Sequence, residues 1–431
     1  MKKVLGIALL TMMCTNMFAQ SGTNSPYSQF GWGVLAEQTN GFNRGMNGLG
    51  IGFHERNQVN FLNPASYSEL DSLTFLFDAG LSLHLTNLSE NGKKRNANNA
   101  NLEYVTAGFR ATRHLGISFG VMPYTNVGYD YSSTQHITQQ IGSTTYTNRY
   151  TGSGGLHQIY LGAGWQPVKG LSVGANFSYL FGNYKRVFLN SYSDATTKTV
   201  SQTHTAEVRS YKVDLGAQYT AKLSAKEQLT LGVTFSPGHE IGGNPSLNMI
   251  SRNSQTNVAD TTAYGGNMKL SIPTTYGAGL MWNHDQKWKL GVDYSLQKWA
   301  SLKFPEYIVN NNVASYALRD NMFSDRHKLT FGGDYCPSPM SRNFFNRVHY
   351  RVGVSYATSY IKINGNEGPK EISAGIGFGL PIINAINNRS ILNISAQWVR
   401  SSAKNYITEN TFRINIGLTF NEVWFMKWKA Q

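Results

Sequence analysis

The stretch EISAGIGFGL, residues 371–380, decides the fold. Its apolar side chains occupy every second position, and between them stand only serine and glycine: Ile372, Ala374, Ile376, Phe378 and Leu380. Alternate residues of a β-strand point to the same face of the sheet. The stretch therefore predicts a strand with one apolar face and one polar or small face.

The same alternation recurs at 171–181, 288–297, 348–356 and 412–420. A soluble sandwich and an outer-membrane barrel both produce such strands, but sandwich strands are typically about 5–6 residues long, whereas tilted strands that cross a bilayer need about 9–11. Aromatic residues stand near several strand ends, as membrane interfaces favour, among them Trp288, Tyr356 and Trp398. The length and these aromatic residues favour the barrel over the sandwich.

Fourteen segments carry a strand pattern, an even number as in single-chain bacterial barrels. Short connections at 167–170 and 283–286 are typical of periplasmic turns, and the Asn- and Ser-rich stretches 241–266 and 301–325 are expected to be longer extracellular loops. The predicted strands are 73–86, 101–111, 115–134, 143–166, 169–190, 203–221, 227–240, 267–283, 286–300, 326–336, 346–362, 370–383, 388–402 and 411–421. The fold class is thus all-β, a transmembrane antiparallel barrel of about fourteen strands.

The composition agrees with a barrel and excludes other classes. Of 431 residues 41% are hydrophobic and 14% are charged, and 43 are glycine. Ordinary globular domains have about 25% charged residues, and disordered chains are usually rich in charge. A helical membrane protein would need apolar runs of about 20 residues, and the chain has none. In a barrel only alternate residues need to be apolar.

The N-terminus has the layout of a secretory signal peptide over residues 1–19. Lys2 and Lys3 precede an apolar run from residue 4 to 13, and cleavage is expected after Ala19. Cys14 lacks the small residue that a lipidation site places just before its cysteine. Cleavage lowers the net charge from +14 to about +12 and leaves Cys336 as the single cysteine, which excludes an intramolecular disulfide. These features predict an exported protein of the Gram-negative outer membrane.

Residues 20–72 do not alternate and precede the predicted barrel, 73–431. They contain a glycine-rich stretch at 41–52 and the motif Asn63-Pro64-Ala65. Because a barrel of fourteen strands has a wide lumen, we expect this segment to form a hatch, or plug, inside it. A disordered periplasmic tail is the alternative, which the apolar residues Phe30, Trp32, Phe53 and Phe61 make less attractive.

The run GMNGLGIG at 45–52, followed by Asn63-Pro64-Ala65, resembles the hatch signature of the FadL/TodX family of outer-membrane transport proteins. The stretches SPYSQFG at 25–31 and NEVWF at 421–425 resemble its Bacteroidetes-type members. The resemblance implies a fourteen-stranded barrel with a hatch, and uptake of hydrophobic small molecules such as long-chain fatty acids or aromatic hydrocarbons. Typical members end at the last strand, whereas this chain continues through residues 428–431. Some barrels of similar appearance serve in secretion or assembly machinery instead.

Two sets of residues are candidates for a role in such uptake. The hatch motif, consisting of Asn63, Pro64, Ala65, Gly48, Gly50 and Gly52, is the candidate for gating. Proline fixes φ and asparagine bonds locally, so the other interpretation of Asn63 and Pro64 is a rigid turn that joins hatch and barrel. Gly152, Gly154 and Gly155 are the candidates for a strand break through which a solute leaves sideways. The alternative is that these glycines only relieve curvature or form a turn.

No catalytic, metal or cofactor site is predicted. G-x-S-x-G occurs at 116–120 and 170–174, but both serines lie within predicted strands and not on the strand–turn–helix of a nucleophile elbow. The ten histidines show no metal-binding spacing. The positive charge is spread over separate loops, which favours contact with lipopolysaccharide phosphates or solvent over nucleic-acid binding.

The sequence thus predicts an outer-membrane barrel for passive uptake, whose partners are a hydrophobic ligand or lipid, the membrane and its lipopolysaccharide. The alternative is a structural or assembly subunit that does not transport and has another outer-membrane protein as its partner. An importer requires a continuous apolar cavity, whereas a subunit requires a filled lumen and an uncharged apolar patch for its partner.

Overall fold

The computed structural model describes residues 22–137, 145–194, 196–311, 313–382 and 390–423. The predicted signal peptide at 1–19, Cys14 and the chain end from 424 lie outside this part.

The barrel consists of fourteen antiparallel strands and is closed, because the first strand pairs with the last from Thr74–Val423 to Ser89–Thr408. Among the described residues no helix is long and apolar enough to span a membrane. The barrel strands are β1 Thr74–Glu90, β2 Lys93–Thr112, β3 Leu115–His136, β4 Thr145–Val168, β5 Leu171–Tyr192, β6 Thr199–Lys222, β7 Glu227–Ser236, β8 Thr274–His284, β9 Trp288–Lys298, β10 Arg326–Tyr335, β11 His349–Ala357, β12 Lys370–Ile382, β13 Ser390–Ser402 and β14 Thr408–Val423.

Each of the fourteen predicted segments overlaps one of these strands, so the predicted fold class is confirmed. The largest difference in bounds is at β2, which begins at Lys93 and not near 101. Residues 93–100 contain only lysine, arginine, asparagine and alanine, and this composition hides the strand. They form a strand because they pair with β1 as far as the turn at Asn91 and Gly92.

The two faces of the strands have opposite polarity. On β1, Leu81, Leu83 and Leu85 point outward and are about half exposed, whereas Asp78 and Ser82, on the opposite face of the strand, are buried. Trp288, Tyr356 and Trp398, predicted as interface residues, are also on the outer surface. A lipid environment favours this arrangement, since it leaves polar groups only inside the barrel.

The connections differ at the two ends of the barrel. At one end they are short, as at 113–114 and 169–170, and by the usual rule this end is periplasmic. At the other end the stretches 241–266 and 301–325, expected to be loops, contain paired strands, because their polar residues hydrogen-bond as hairpins above the barrel. Ser246–Arg252 pairs with β6, so this hairpin extends the wall sheet. The strands at this end that are not among the fourteen barrel strands are His239–Gly243, Ser246–Arg252, Ala259–Gly265, Lys269–Ile272, Phe304–Asn310, Val313–Arg319, Lys362–Ile363 and Asn366–Glu367.

Residues 22–72, here called the N-terminal segment, contact the inner faces of strands around the barrel and are mostly buried. Glycines of the wall make room for this segment: a Cβ atom at Gly164, Gly174 or Gly353 would overlap its backbone. The regular elements of the N-terminal segment are short: a 3-10 helix at Pro26–Gln29, a strand at Val34–Leu35, an α-helix at Gly41–Arg44 and a 3-10 helix at Pro64–Glu69.

Gly174 tests this packing directly, because a Cβ atom there would overlap the carbonyl group of Pro64. We expect Gly174→Ala to lower the free energy of unfolding by about 1–3 kcal/mol, as overpacking does. The control is Gly265→Ala, whose Cβ would lie 3.6 Å from the nearest side-chain atom, that of Ser246. Urea unfolding of both variants in lipid vesicles measures the difference, and equal stabilities would show that Pro64 does not pack there.

Candidate functional site

The Asn63-Pro64-Ala65 motif forms a turn on the inner faces of β5 and β6. The Asn63 side chain accepts a hydrogen bond from the Ala65 N–H (3.1 Å) and caps the 3-10 helix that Pro64 begins. The Asn63 amide also donates to the carbonyl oxygens of Ile51 (2.9 Å) and Ala217 (3.2 Å). One side chain thus joins the turn, the glycine run and the barrel wall.

The glycine run is held by a carboxylate of the wall. The backbone N–H groups of Gly50 and Ile51 donate to Asp293 Oδ2 of β9, at 2.6 and 2.8 Å. Gly48 has a φ of 89°, a left-handed conformation that favours glycine, and Gly52 lies against the backbone of β8. Charge-assisted hydrogen bonds of this kind are stronger than neutral ones, so Asp293 attaches the glycine run to β9.

A buried network of charges surrounds the short helix of the N-terminal segment. Arg44 of this helix pairs with Glu103 of β2 at 3.0 Å, and both side chains are almost completely buried. A bulge of β2 at Glu103 turns its side chain into the lumen. Next to this pair, Glu37 lies 3.1 Å from Arg413 of β14. The network links the N-terminal segment to β2 and β14.

Glu37 and Arg44, the two side chains that the N-terminal segment contributes to this network, stay ionised. Burial raises the pKa of Glu37, but Arg413, Lys328 and Arg44 together lower it below the ordinary value for glutamate. Burial lowers the pKa of Arg44, but Glu103 and Glu37 raise it above its ordinary value. Buried charges without a partner are very costly, so these groups hold the N-terminal segment in one position.

Further buried acids of the wall bind other groups. Asp78 of β1 accepts hydrogen bonds from Asn40, Tyr104 and Thr419, each at 3.1 Å. Asp334 of β10 contacts Arg351 Nε at 3.0 Å. Sequence reasoning did not single out these residues as a site. A usable signal was present, because each is a charged residue on the polar face of an alternating strand.

An apolar core fills the extracellular half of the barrel. Trp32 of the N-terminal segment packs edge-on against Phe304 at a ring distance of 5.9 Å. Trp299 packs against Tyr360 at 4.6 Å and Phe323 at 5.6 Å. All five residues are at least nine-tenths buried. The end of the lumen through which a solute from outside would enter is therefore occupied by the protein's own aromatic side chains.

Two small cavities lie near the centre of the described interior, with volumes of about 110 and 160 Å³. Both are lined by Leu35, Arg326, Glu371 and Arg413. Sites for small hydrophobic ligands are mostly apolar and have volumes of about 300–1,000 Å³. Neither cavity has this size or this lining.

Gly152, Gly154 and Gly155 lie in β4, as predicted, but they do not break its pairing. Residues 152–155 pair with β3 on one side and with β5 on the other. Gly154 and Gly155 have φ values of 115° and 141°, and added Cβ atoms would overlap backbone carbonyls of the adjacent strands. The glycines therefore bend the wall instead of opening it.

A gap in the strand pairing of the described wall does occur nearby, between β2 and β3. The pairing of β2 with β3 ends at Val105 and Val121. Beyond this point, β3 pairs instead with Val34–Leu35 of the N-terminal segment. A cavity of about 400 Å³ lies beside this gap and is lined by Glu103, Met122, Pro123, Gly154 and Gly155, among others. The bend and the gap together form an indentation in the wall.

The two serines of the G-x-S-x-G matches have structural partners. Ser118 bonds to the Ala107 carbonyl and the Tyr160 hydroxyl, both at 2.9 Å, and Ser172 bonds to the Ser68 hydroxyl at 2.9 Å. Within the described ranges no three His, Cys, Asp or Glu residues form a group that could hold a metal.

Solved structures of similar fold include a monoaromatic hydrocarbon channel and toluene transporters. The Pseudomonas putida toluene transporter TodX matches with a TM-score of 0.60 and 13% identity, over 91% of this chain and 99% of TodX. A Pseudomonas aeruginosa FadL homologue gives 0.62 and 11%, over 91% and 99%, and the Ralstonia pickettii toluene transporter TbuX gives 0.56 and 12%, over 89% and 98%. The predicted FadL/TodX-type fold is confirmed. TodX and TbuX among these neighbours are transporters.

The chain therefore has the fold of outer-membrane channels of the FadL/TodX type, with a lumen that its own residues occupy. The family model described as BamG matches residues 1–431, and the chain belongs to this family. A comparison with curated protein sequences found no match.

The Arg44–Glu103 pair should be essential for stability. Glu103→Gln leaves the Arg44 guanidinium buried without a countercharge, and loss of one partner of a buried pair costs about 3–5 kcal/mol. The matched control is Asp130→Asn, because Asp130 pairs with Arg149 in an exposed position and its loss should leave stability unchanged. Urea unfolding measures both effects, and equal curves for the two variants would contradict the assigned role.

Proposed function

We propose that this protein is a non-conducting barrel subunit of a larger outer-membrane protein complex, with a structural or assembly role. The observation that carries the proposal is the aromatic core around Trp32, Trp299 and Phe323, which occupies the extracellular half of the lumen. A passive importer of hydrophobic solutes needs an apolar route there. In this chain, apolar side chains pack together and close that route.

The buried polar contacts support the same proposal. A hatch that moves during transport must break its contacts with the wall in each cycle. Here the N-terminal segment is bound through Asp293, through the Arg44–Glu103 pair and through Asn63. Each charged hydrogen bond contributes about 1.5–3 kcal/mol, and breaking several together is slow. The contacts are those of a permanent plug.

The BamG family assignment also favours a role other than that of the channels. The structural neighbours share only 11–13% identity with the chain, which is evidence for a common fold and not for common cargo. A channel fold with a filled lumen can serve as a rigid body in the membrane. Its outer wall and its connections are then available to partners.

Two measurements on the protein from its own outer membrane test this proposal. In planar bilayers we expect no steady ion current, with a general porin as positive control for the assay. In native mass spectrometry from mild detergent we expect a stoichiometric complex with another outer-membrane protein. Steady conductance, or recovery of the barrel alone with bound fatty acid or hydrocarbon, would contradict the proposal.

Uptake of hydrophobic molecules is the second candidate, and the indentation beside β2 and β3 favours it. In this hypothesis the hatch motif around Asn63 and Pro64, with Gly48, Gly50 and Gly52, would be the moving part. A solute would then leave through the gap beside Gly154 and Gly155, where the 400 Å³ cavity lies.

Ser153→Trp distinguishes the two candidates, because Ser153 is exposed and lines this cavity. Ser133→Trp, at an exposed position on β3, is the matched control. If the protein is a non-conducting subunit, cells with either variant should take up labelled fatty acid or toluene at the wild-type rate. Uptake that falls several-fold with Ser153→Trp alone would support the channel instead.

A further inference from the structure

The connection between β10 and β11, residues 336–348, is unlike the other described connections at the periplasmic end. Those are short, at 113–114, 169–170, 223–226 and 285–287. This one is longer and contains a helix at Phe344–Arg347. Three large apolar side chains of the connection face solvent: Met340 is 96% exposed, Phe345 69% and Phe344 41%. A contiguous exposed apolar patch indicates an interaction site.

Several hydrogen bonds order the connection before any partner binds. The Ser338 N–H donates to the Asn346 carbonyl at 2.8 Å, and the Asn343 side chain accepts from the Phe345 N–H at 3.0 Å. The Tyr350 hydroxyl on the barrel wall donates to the Phe345 carbonyl at 3.1 Å. Pro337 and Pro339 restrict the backbone further. A preorganised loop loses less conformational entropy when it binds a partner.

The composition of the connection matches the core of a protein–protein interface. It contains Met340, Phe344, Phe345 and the cations Arg342 and Arg347, and residues 336–348 include no lysine, aspartate or glutamate. Aromatic residues, methionine and arginine are enriched in interfaces, whereas lysine and acids are depleted. The membrane-facing ring of aromatics nearby consists instead of amphipathic residues such as Trp288, Tyr335 and Tyr350. Membrane interfaces favour Trp and Tyr, so lipid explains the patch less well than protein does.

We propose that residues 336–348 are a docking site for a periplasmic domain of the outer-membrane protein in this complex, and that this domain offers an apolar pocket rimmed by carboxylates. Met340 and Phe345 enter the pocket, and Arg342 and Arg347 face the acids. This inference rests on the proposed function and specifies where and with what chemistry the subunit binds a partner.

Site-specific photo-crosslinking in cells tests the docking site. The photoreactive amino acid replaces Met340 or Phe345, and the control position is Lys169, which is exposed at the same end of the barrel. We expect positions 340 and 345 to capture one and the same polypeptide, through a peptide with apolar residues flanked by Asp or Glu. Position 169 should capture nothing. Capture of lipid alone would overturn the inference in favour of a membrane contact.

Charge variants give the quantitative test. Met340→Asp combined with Phe345→Asp should reduce the co-purified partner at least tenfold, because aspartates enter an apolar, acid-rimmed pocket. Lys169→Asp should have no effect, and heat-modifiable migration confirms that each barrel is folded. Arg342→Glu should weaken binding and reduce its sensitivity to salt. A complex that survives the double variant would overturn this site but not the proposed function, whereas the absence of any complex in the wild type would overturn the proposed function itself.

Discussion

The structure depends on one constraint: a strand that crosses a bilayer must turn its apolar side chains to the lipid. In this barrel the polar residues of each strand consequently face inward. A buried polar or charged group without a partner is costly, so the interior needs either water or a complementary chain. The N-terminal segment is that chain. Its backbone amides, its asparagines and Arg44 bind the acids and carbonyls that the wall presents.

Both halves of the interior follow from this constraint. Near the glycine run, Asp293 and Glu103 bind charges and N–H groups of the N-terminal segment. In the extracellular half, aromatic residues of that segment and of the long connections bury one another. The barrel is held together from within, and its lumen is closed as a result.

Much of this was predictable from local sequence patterns. Period-two alternation such as that of 371–380 predicts a strand without further information, and five of the fourteen strands show it clearly. The outer half of β2 was missed because pairing with β1, and not its own asparagines, makes it a strand. The partners of Glu103 and Asp293 could not be predicted, since they lie far away in the chain and depend on the register of many strands. A break in the wall was predicted at the glycines of β4, but the gap lies between β2 and β3. A glycine pattern does not reveal whether a strand bends or loses its partner.

The likeness to hydrocarbon channels and the BamG family assignment describe two aspects of one molecule, its fold and its own family. The central claim is that the N-terminal segment is a permanent part of the barrel interior. Hydrogen–deuterium exchange in native outer-membrane vesicles tests it most directly, at the amides of Gly50 and Ile51. We predict that these amides are as strongly protected as those of the barrel strands. Exchange within seconds, with the strands still protected, would show a mobile hatch and would contradict the account.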